Sequence, residues 1–203
     1  MTESATIHVV DDDVAVRDAL RFTLEAAGLT VRLHASATEF LAAAPGASGC
    51  VLSDVRMPGM DGLALQERLA ELGARLPVVL MTGQAEIPDA VRAMRAGAID
   101  FLQKPFTEDE LLAALRRALA ESHRLRDTAA AQGQAAARLA ALTPREREVL
   151  DLLVAGQPTK AIARALGASP RTIEVHRGRV FEKLRAESLP ELVHLVLAAG
   201  RGA

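Results

Sequence analysis

The sequence predicts an α/β protein: a doubly wound unit on a five-stranded parallel sheet, followed by a second, all-α unit of four helices that carries a helix-turn-helix. Residues 6 to about 120 alternate short apolar runs with amphipathic segments, the strand-then-helix rhythm of a sheet covered on both faces. Beyond residue 142 the strand-like runs stop, and Ser/Thr-Pro helix starts recur. The charge balance changes sign at the same place. Residues 1–142 hold 14 Lys and Arg against 19 Asp and Glu, whereas residues 143–203 hold 10 against 7. A mildly basic C-terminal piece points toward nucleic acid, although so small an excess carries little weight alone.

Strands are expected near residues 6–11, 30–34, 49–54, 77–82 and 99–103. Ile7-His8-Val9-Val10, Val51-Leu52-Ser53 and Val78-Val79-Leu80-Met81 are nearly unbroken apolar runs of strand length, as strands buried on both faces must be. Helices follow near 14–27, 36–43, 62–72, 86–96 and 107–121. From Glu121 to Leu142 the chain is rich in Ala, with Gly133 the one strong interruption. Ala and Arg favour helix, so this segment reads as a helical extension or a hinged helical linker. Thr143-Pro144-Arg145-Glu146 then offers an N-cap, a first-turn Pro and the Glu of a capping box. Ser169-Pro170 and Ser188-Leu189-Pro190-Glu191 start further helices, and Gly156 and Gly167 supply turns. Two short helices joined by Leu166-Gly167-Ala168-Ser169 make the helix-turn-helix, with the second running from Pro170 to about Leu184.

Half of the 203 residues are hydrophobic, enough to bury a core in each unit. No apolar stretch approaches the roughly 20 residues of a membrane span, and Met1-Thr2-Glu3-Ser4 lacks the basic and apolar regions of a signal peptide. A cytoplasmic protein with no membrane partner is expected. Cys50 is the only cysteine, which excludes an internal disulfide and thiolate-rich zinc sites; its place before Val51 suits inert core packing. His8, His34, His123 and His194 read as surface or core side chains, and His8 has no evident acidic partner.

The strand ends carry the chemistry. Parallel sheets place their sites at the carboxyl ends of strands, and there stand Asp11-Asp12-Asp13, Asp54, Thr82 and Lys104-Pro105. Acids, a hydroxyl and an ammonium on one rim suit a phosphoryl group on a carboxylate. Asp54 and incoming phosphoryl oxygens repel each other, so a divalent cation is required. Mg²⁺ prefers a few carboxylates plus waters and phosphate oxygens, which an Asp pair beside Asp54 provides. Lys104 would neutralise one phosphoryl oxygen and Thr82 would donate a hydrogen bond to another.

Val10-Asp11-Asp12-Asp13, Asp54-Val55-Arg56-Met57-Pro58-Gly59-Met60-Asp61-Gly62, Met81-Thr82-Gly83 and Lys104-Pro105-Phe106 resemble the receiver domain of two-component response regulators. The resemblance implies that Asp54 takes its phosphoryl group from a phosphohistidine on a sensor histidine kinase. It implies that Asp12 and the Arg56 backbone carbonyl ligate Mg²⁺ directly, with Asp11 acting mainly through water. Thr82 and Phe101 would form the switch pair, Met57-Pro58 and Gly62 would shape the loop after Asp54, and the Lys104–Pro105 bond would be cis. After Thr82-Gly83 this chain has Gln84-Ala85 where close relatives often carry His-Gly, a departure that bears on loop mobility or dephosphorylation rate.

The second half, from Leu142-Thr143-Pro144-Arg145-Glu146 through Ser169-Pro170-Arg171-Thr172-Ile173-Glu174-Val175-His176 to Lys183-Leu184, resembles the LuxR-type DNA-binding domain. With Ser188-Leu189-Pro190-Glu191-Leu192-Val193, the whole chain is similar to the FixJ branch of that family. This implies a receiver over residues 1–121, a helical linker over 122–141 and a DNA-binding domain over 142–203. It further implies a phosphorylation-dependent homodimer, double-stranded DNA and RNA polymerase as partners, and control of oxygen-responsive or nitrogen-fixation genes.

On the second helix of the motif, Ile173, Val180 and Leu184 form an apolar seam. Arg171, Glu174, Val175, Arg177, Gly178 and Arg179 lie on or beside the other face, with Thr172 near its start. Arg177 and Arg179 suit guanine edges or phosphates, Val175 a thymine methyl and Glu174 a cytosine amine. Thr159 and Lys160, opening the preceding helix, are candidate phosphate contacts. Two rivals are weaker. Mg²⁺-dependent phosphatases with an Asp nucleophile usually carry a second acid two residues on, where this chain has Arg56, so no turnover is expected beyond self-phosphorylation and self-dephosphorylation. A module that recruits protein alone has no need of a basic recognition helix.

Overall fold

The computed structural model describes residues 6–83 and 87–200, apart from the side chains of 87–89; Gln84 and Ala85, and with them the departure noted above, lie outside the described residues. Five strands form one parallel sheet: β1 (Thr6–Val10), β2 (Thr30–His34), β3 (Gly49–Asp54), β4 (Val78–Thr82) and β5 (Asp100–Gln103), in the order β2-β1-β3-β4-β5. Crossing helices are α1 (Val14–Ala26), α2 (Ala37–Ala43), α3 (Gly62–Glu71) and α4 (Ile87–Arg95), and α5 (Glu108–Ala140) follows β5. Then come α6 (Pro144–Val154), α7 (Thr159–Ala165), α8 (Pro170–Leu184) and α9 (Leu189–Gly200). The expected architecture is the observed one.

Residue chemistry explains where the elements begin. Asp13 caps α1 by accepting from the Ala15 and Val16 amides at 2.8 and 3.4 Å, which makes it a capping acid. Asp61 caps α3 through the Ala64 amide at 2.6 Å, and Ser169 caps α8 through the Thr172 amide at 3.1 Å. All of β3 and β4 is buried, between one apolar layer around Phe40, Leu65 and Leu80 and another around Leu24, Leu52 and Leu115. Cys50 is buried in the second layer, and burial pushes its thiol up to about 12, so it is inert packing. His8 and His34 are core residues: their ring nitrogens meet at 3.2 Å against Phe40. Burial first, then the neighbouring His34, lowers His8 to about 4.

Helix α5 runs unbroken for 33 residues through Gly133, the expected interruption; a single exposed Gly costs only about 1 kcal/mol against Ala, which flanking helix formers tolerate. The chain divides within it into two compact units, Met1–Arg126 and Asp127–Ala203. In the second unit, Leu150, Val180, Leu184 and Leu192 form one apolar cluster, and Val149, Ile162 and Ile173 centre another.

Glu146 ties that unit together. Its carboxylate completes the capping box by accepting from the Thr143 amide at 2.9 Å and accepts from the Lys183 ammonium on α8 at 2.7 Å. The Lys183 hydrogen bond, followed by that from Thr143, holds its pKa down to about 2. A carboxylate depressed in the folded state stabilises the fold above its unfolded value of about 4.3, and this contribution disappears as pH falls toward the folded value. Glu146→Gln should therefore lower the denaturation midpoint of the C-terminal unit at pH 7, with the deficit shrinking between about pH 4.5 and pH 2. Denaturant titrations of the two proteins across that range test it; a deficit independent of pH would refute the linkage.

Candidate functional site

The strand order reverses direction between β1 and β3, and the crevice at such a point is where open parallel sheets hold ligands. Asp11 follows β1 and Asp54 ends β3, one on each side of it. The Lys104 ammonium, just past β5, donates to Asp54 Oδ1 at 2.6 Å and to Asp11 Oδ2 at 3.1 Å. The remaining carboxylate oxygens accept from backbone: Asp54 Oδ2 from the Arg56 amide at 2.6 Å, and Asp11 Oδ1 from the Asp13 amide at 2.9 Å. Burial works to lower the Lys104 pKa, but the hydrogen bonds and charges of Asp54 and Asp11 outweigh it and hold that pKa above its ordinary value.

Backbone bonds fix the frame. The Lys104 amide donates to the Thr82 carbonyl at 2.7 Å, which ties the end of β5 to the end of β4. The Val55 amide donates to the Met81 carbonyl at 2.8 Å, one residue from Thr82, whose side chain is buried. The Gly62 amide donates to Val55 O at 2.9 Å, and a Cβ on Gly62 would stand 2.3 Å from the Asp54 carbonyl oxygen. Only glycine permits α3 to start this close to the acceptor strand. The Lys104–Pro105 bond is cis. Phe101 is half-buried against the first apolar layer.

Asp12 is exposed beside the bridge that Lys104 makes between Asp11 and Asp54. The two carboxylates that meet, Asp11 and Asp54, do so around one cation, a hard-oxygen pair of the kind Mg²⁺ selects. Arg17 escaped the sequence reading: its guanidinium donates to the Asp11 carbonyl at 2.6 Å. Nothing in the sequence marks it, since a first-turn Arg on an amphipathic helix looks like any solvated one.

In the second unit, Ile173, Val180 and Leu184 are fully buried along α8. Arg171, Thr172, Glu174, Val175, Gly178 and Arg179 are exposed, as is Lys160 on α7. The Thr172 hydroxyl shares a 2.8 Å hydrogen bond with Ser169 and so belongs to the helix cap. Arg177 is only half exposed and lies on the flank of the helix beside the seam. Thr159 is half-buried beneath it.

Residues 7–116 match the family described as response regulator receiver domain, and residues 140–196 match bacterial regulatory proteins of the luxR family. The chain is 48% identical to transcriptional regulatory protein FixJ of Bradyrhizobium diazoefficiens over 98% of both chains. It is 44% identical to the tetrathionate response regulatory protein TtrR of Salmonella typhimurium, over 93% of this chain and 90% of that one. Among solved structures, the response regulator StyR superposes with a TM-score of 0.84 at 43% identity, over 94% of this chain and 97% of that one. Full-length FixJ from B. japonicum superposes with a TM-score of 0.60 at 47% identity, over 98% and 99%. Two family matches in tandem and near-complete coverage of these relatives lead to one conclusion: the chain belongs to the response regulator family, as a FixJ-like member in which a receiver domain precedes a luxR-type DNA-binding domain.

Proposed function

We propose that this chain is a transcriptional regulator switched by a phosphoryl group on Asp54, with residues 1–121 as the phosphoacceptor, 122–141 as the helical linker and 142–203 as the DNA-binding part. The observation that carries the proposal is the Lys104 ammonium bridging Asp54 and Asp11 at the sheet's reversal point. An Asp54 carboxylate oxygen bonds to phosphorus as the phosphorus–nitrogen bond of a kinase phosphohistidine breaks and the imidazole leaves. Asp11, Asp12, Asp54 and the Arg56 carbonyl would hold Mg²⁺, whose positive charge would offset repulsion between Asp54 and the phosphoryl oxygens. Lys104 passes from Asp54 Oδ1 to a phosphoryl oxygen, and Thr82 donates to another. The chain acts as a phosphoacceptor whose own turnover stops at self-phosphorylation and self-dephosphorylation.

The added charge biases a two-state surface of α4, β5 and α5 through Thr82 and Phe101. Val91 and Met94 are exposed on α4 and supply apolar area for a homodimer. A two-fold dimer presents two DNA-binding parts to a two-fold related site, where RNA polymerase is the further partner. On α8, Arg179 and Val175 face outward to read bases, with Arg171 and Thr172 near its start, while Lys160 on α7 meets phosphate.

Three outcomes are expected. Asp54→Asn abolishes Mg²⁺-dependent labelling by acetyl phosphate or a phosphohistidine donor; labelling at the wild-type level would move the acceptor elsewhere. In sedimentation at micromolar concentration the phosphorylated protein is mainly dimer and the free protein mainly monomer, and equal dimer fractions would remove the switch. On a panel of single base-pair substitutions, Lys160→Ala weakens all sequences alike and flattens the salt dependence by roughly one unit of slope, whereas Arg179→Ala loses about 1–3 kcal/mol at one position. A uniform loss for Arg179→Ala would make it a phosphate contact.

A further inference from the structure

Glu174 presents a paradox for a DNA-reading helix. It puts a carboxylate on an exposed part of α8, close to where phosphates must come, and the field of the duplex repels it. Its contacts resolve the paradox. Glu174 Oε1 accepts at 2.7 Å from the hydroxyl of Thr159, the first residue of α7. Arg177 Nη1 lies 3.5 Å from that same hydroxyl oxygen and 3.9 Å from Glu174 Oε1, and the guanidinium carbon stands 5.8 Å from the centre of the Phe181 ring. Glu174, Arg177 and Phe181 are spaced i, i+3 and i+7, so they form one stripe along the flank of α8 beside the buried seam. The Thr159 hydroxyl joins the stripe to α7. A planar guanidinium set between a ring, a carboxylate and a hydroxyl has less rotamer freedom to lose when a ligand arrives.

Resting on the DNA-binding reading above, we propose that Thr159, Glu174 and Phe181 brace Arg177 as a fixed phosphate-binding cation, and that Glu174 is a positioning residue which reads no base. Arg177 remains reachable, since it lines an open groove of about 450 Å³ with Glu174, Gly178, Phe181, Glu187 and Ser188. The helix phase separates its role from that of the outward residues. Val175 and Arg179 point away from the seam and Arg177 lies beside it, so the flank cation meets backbone while the outward residues meet base edges. The brace removes side-chain ordering cost from binding, at the expense of some repulsion from the Glu174 carboxylate.

The sign of one substitution separates this from its rivals. If Glu174 only repels phosphate, Glu174→Ala strengthens DNA binding. If Glu174 reads a cytosine, the substitution weakens binding at one base pair and spares the others. The brace predicts a loss of about two- to tenfold that is uniform over a base-pair panel, despite the removal of a negative charge. The measurement is titration of the phosphorylated full-length chain on duplexes that differ by single base pairs, at several salt concentrations, with thermal melts to verify the fold of each variant. Arg177→Ala should give a uniform loss with the salt slope reduced by about one. In the Arg177→Ala background, Glu174→Ala should cease to weaken binding, because the group it positions has gone. Glu174→Gln keeps an oxygen for the Thr159 hydroxyl and should retain more affinity than Glu174→Ala, and Thr159→Val should mimic Glu174→Ala. Stronger binding by Glu174→Ala, a selective loss, or a loss that persists without Arg177 would each overturn the brace while leaving DNA binding intact. A wild-type protein that binds no duplex at all would instead overturn the parent reading.

Discussion

Two buried carboxylates sharing one ammonium set the terms for the rest of the first unit. Asp11 and Asp54 are almost wholly removed from water, and a buried carboxylate without a partner costs several kcal/mol. Lys104 answers both at once, and the backbone amides of Arg56 and Asp13 take the other two oxygens. The three side chains come from positions 93 and 50 residues apart in the chain, so they meet only when β5 has docked against β4 and β4 against β3. Charge neutralisation and completion of the sheet are therefore one event.

The same physics recurs on a smaller scale in the second unit. Glu146 is a buried acid at the start of α6, satisfied by the Thr143 amide and by Lys183 from the last turn of α8. That pair fixes where α8 ends relative to where α6 begins, and the apolar seam of Ile173, Val180 and Leu184 fixes which way α8 faces. What remains outward is a surface of arginines and a valine that needs no intramolecular partner. Glu174 and Arg177 stand between these two classes: exposed enough to meet a ligand, yet already engaged with Thr159 and Phe181.

The sequence was informative wherever a residue's role follows from its own stretch of chain. Strands were readable because two-sided burial demands unbroken apolar runs, and helix starts because Ser, Thr and Asp satisfy free amides locally, as Asp13, Asp61, Thr143 and Ser169 do. That Asp54 and Lys104 share one rim was legible because each stands at a strand's carboxyl end. How neighbouring acids divide their contacts was not legible. Adjacent acids after a strand look equivalent in sequence, but successive side chains diverge, and here Asp11 turns inward to Lys104 while Asp12 faces solvent. Gly62 could be noticed, but its reason, an approach of 2.3 Å between an added Cβ and the Asp54 carbonyl oxygen, exists only in three dimensions.

By itself the sequence determined two units, the order and kind of their elements, and the list of groups available for chemistry, since all of these rest on periodicity, capping and strand-end position. Tertiary structure decided which of those groups act together. It paired Lys104 with both Asp11 and Asp54, brought Arg17 to the Asp11 carbonyl, and set Arg177 beside Thr159 and Glu174. The reason is physical: propensity and pattern are properties of neighbours along the chain, whereas the energy of a charge depends on what packing places within a few ångströms of it, and that is fixed only when distant segments meet.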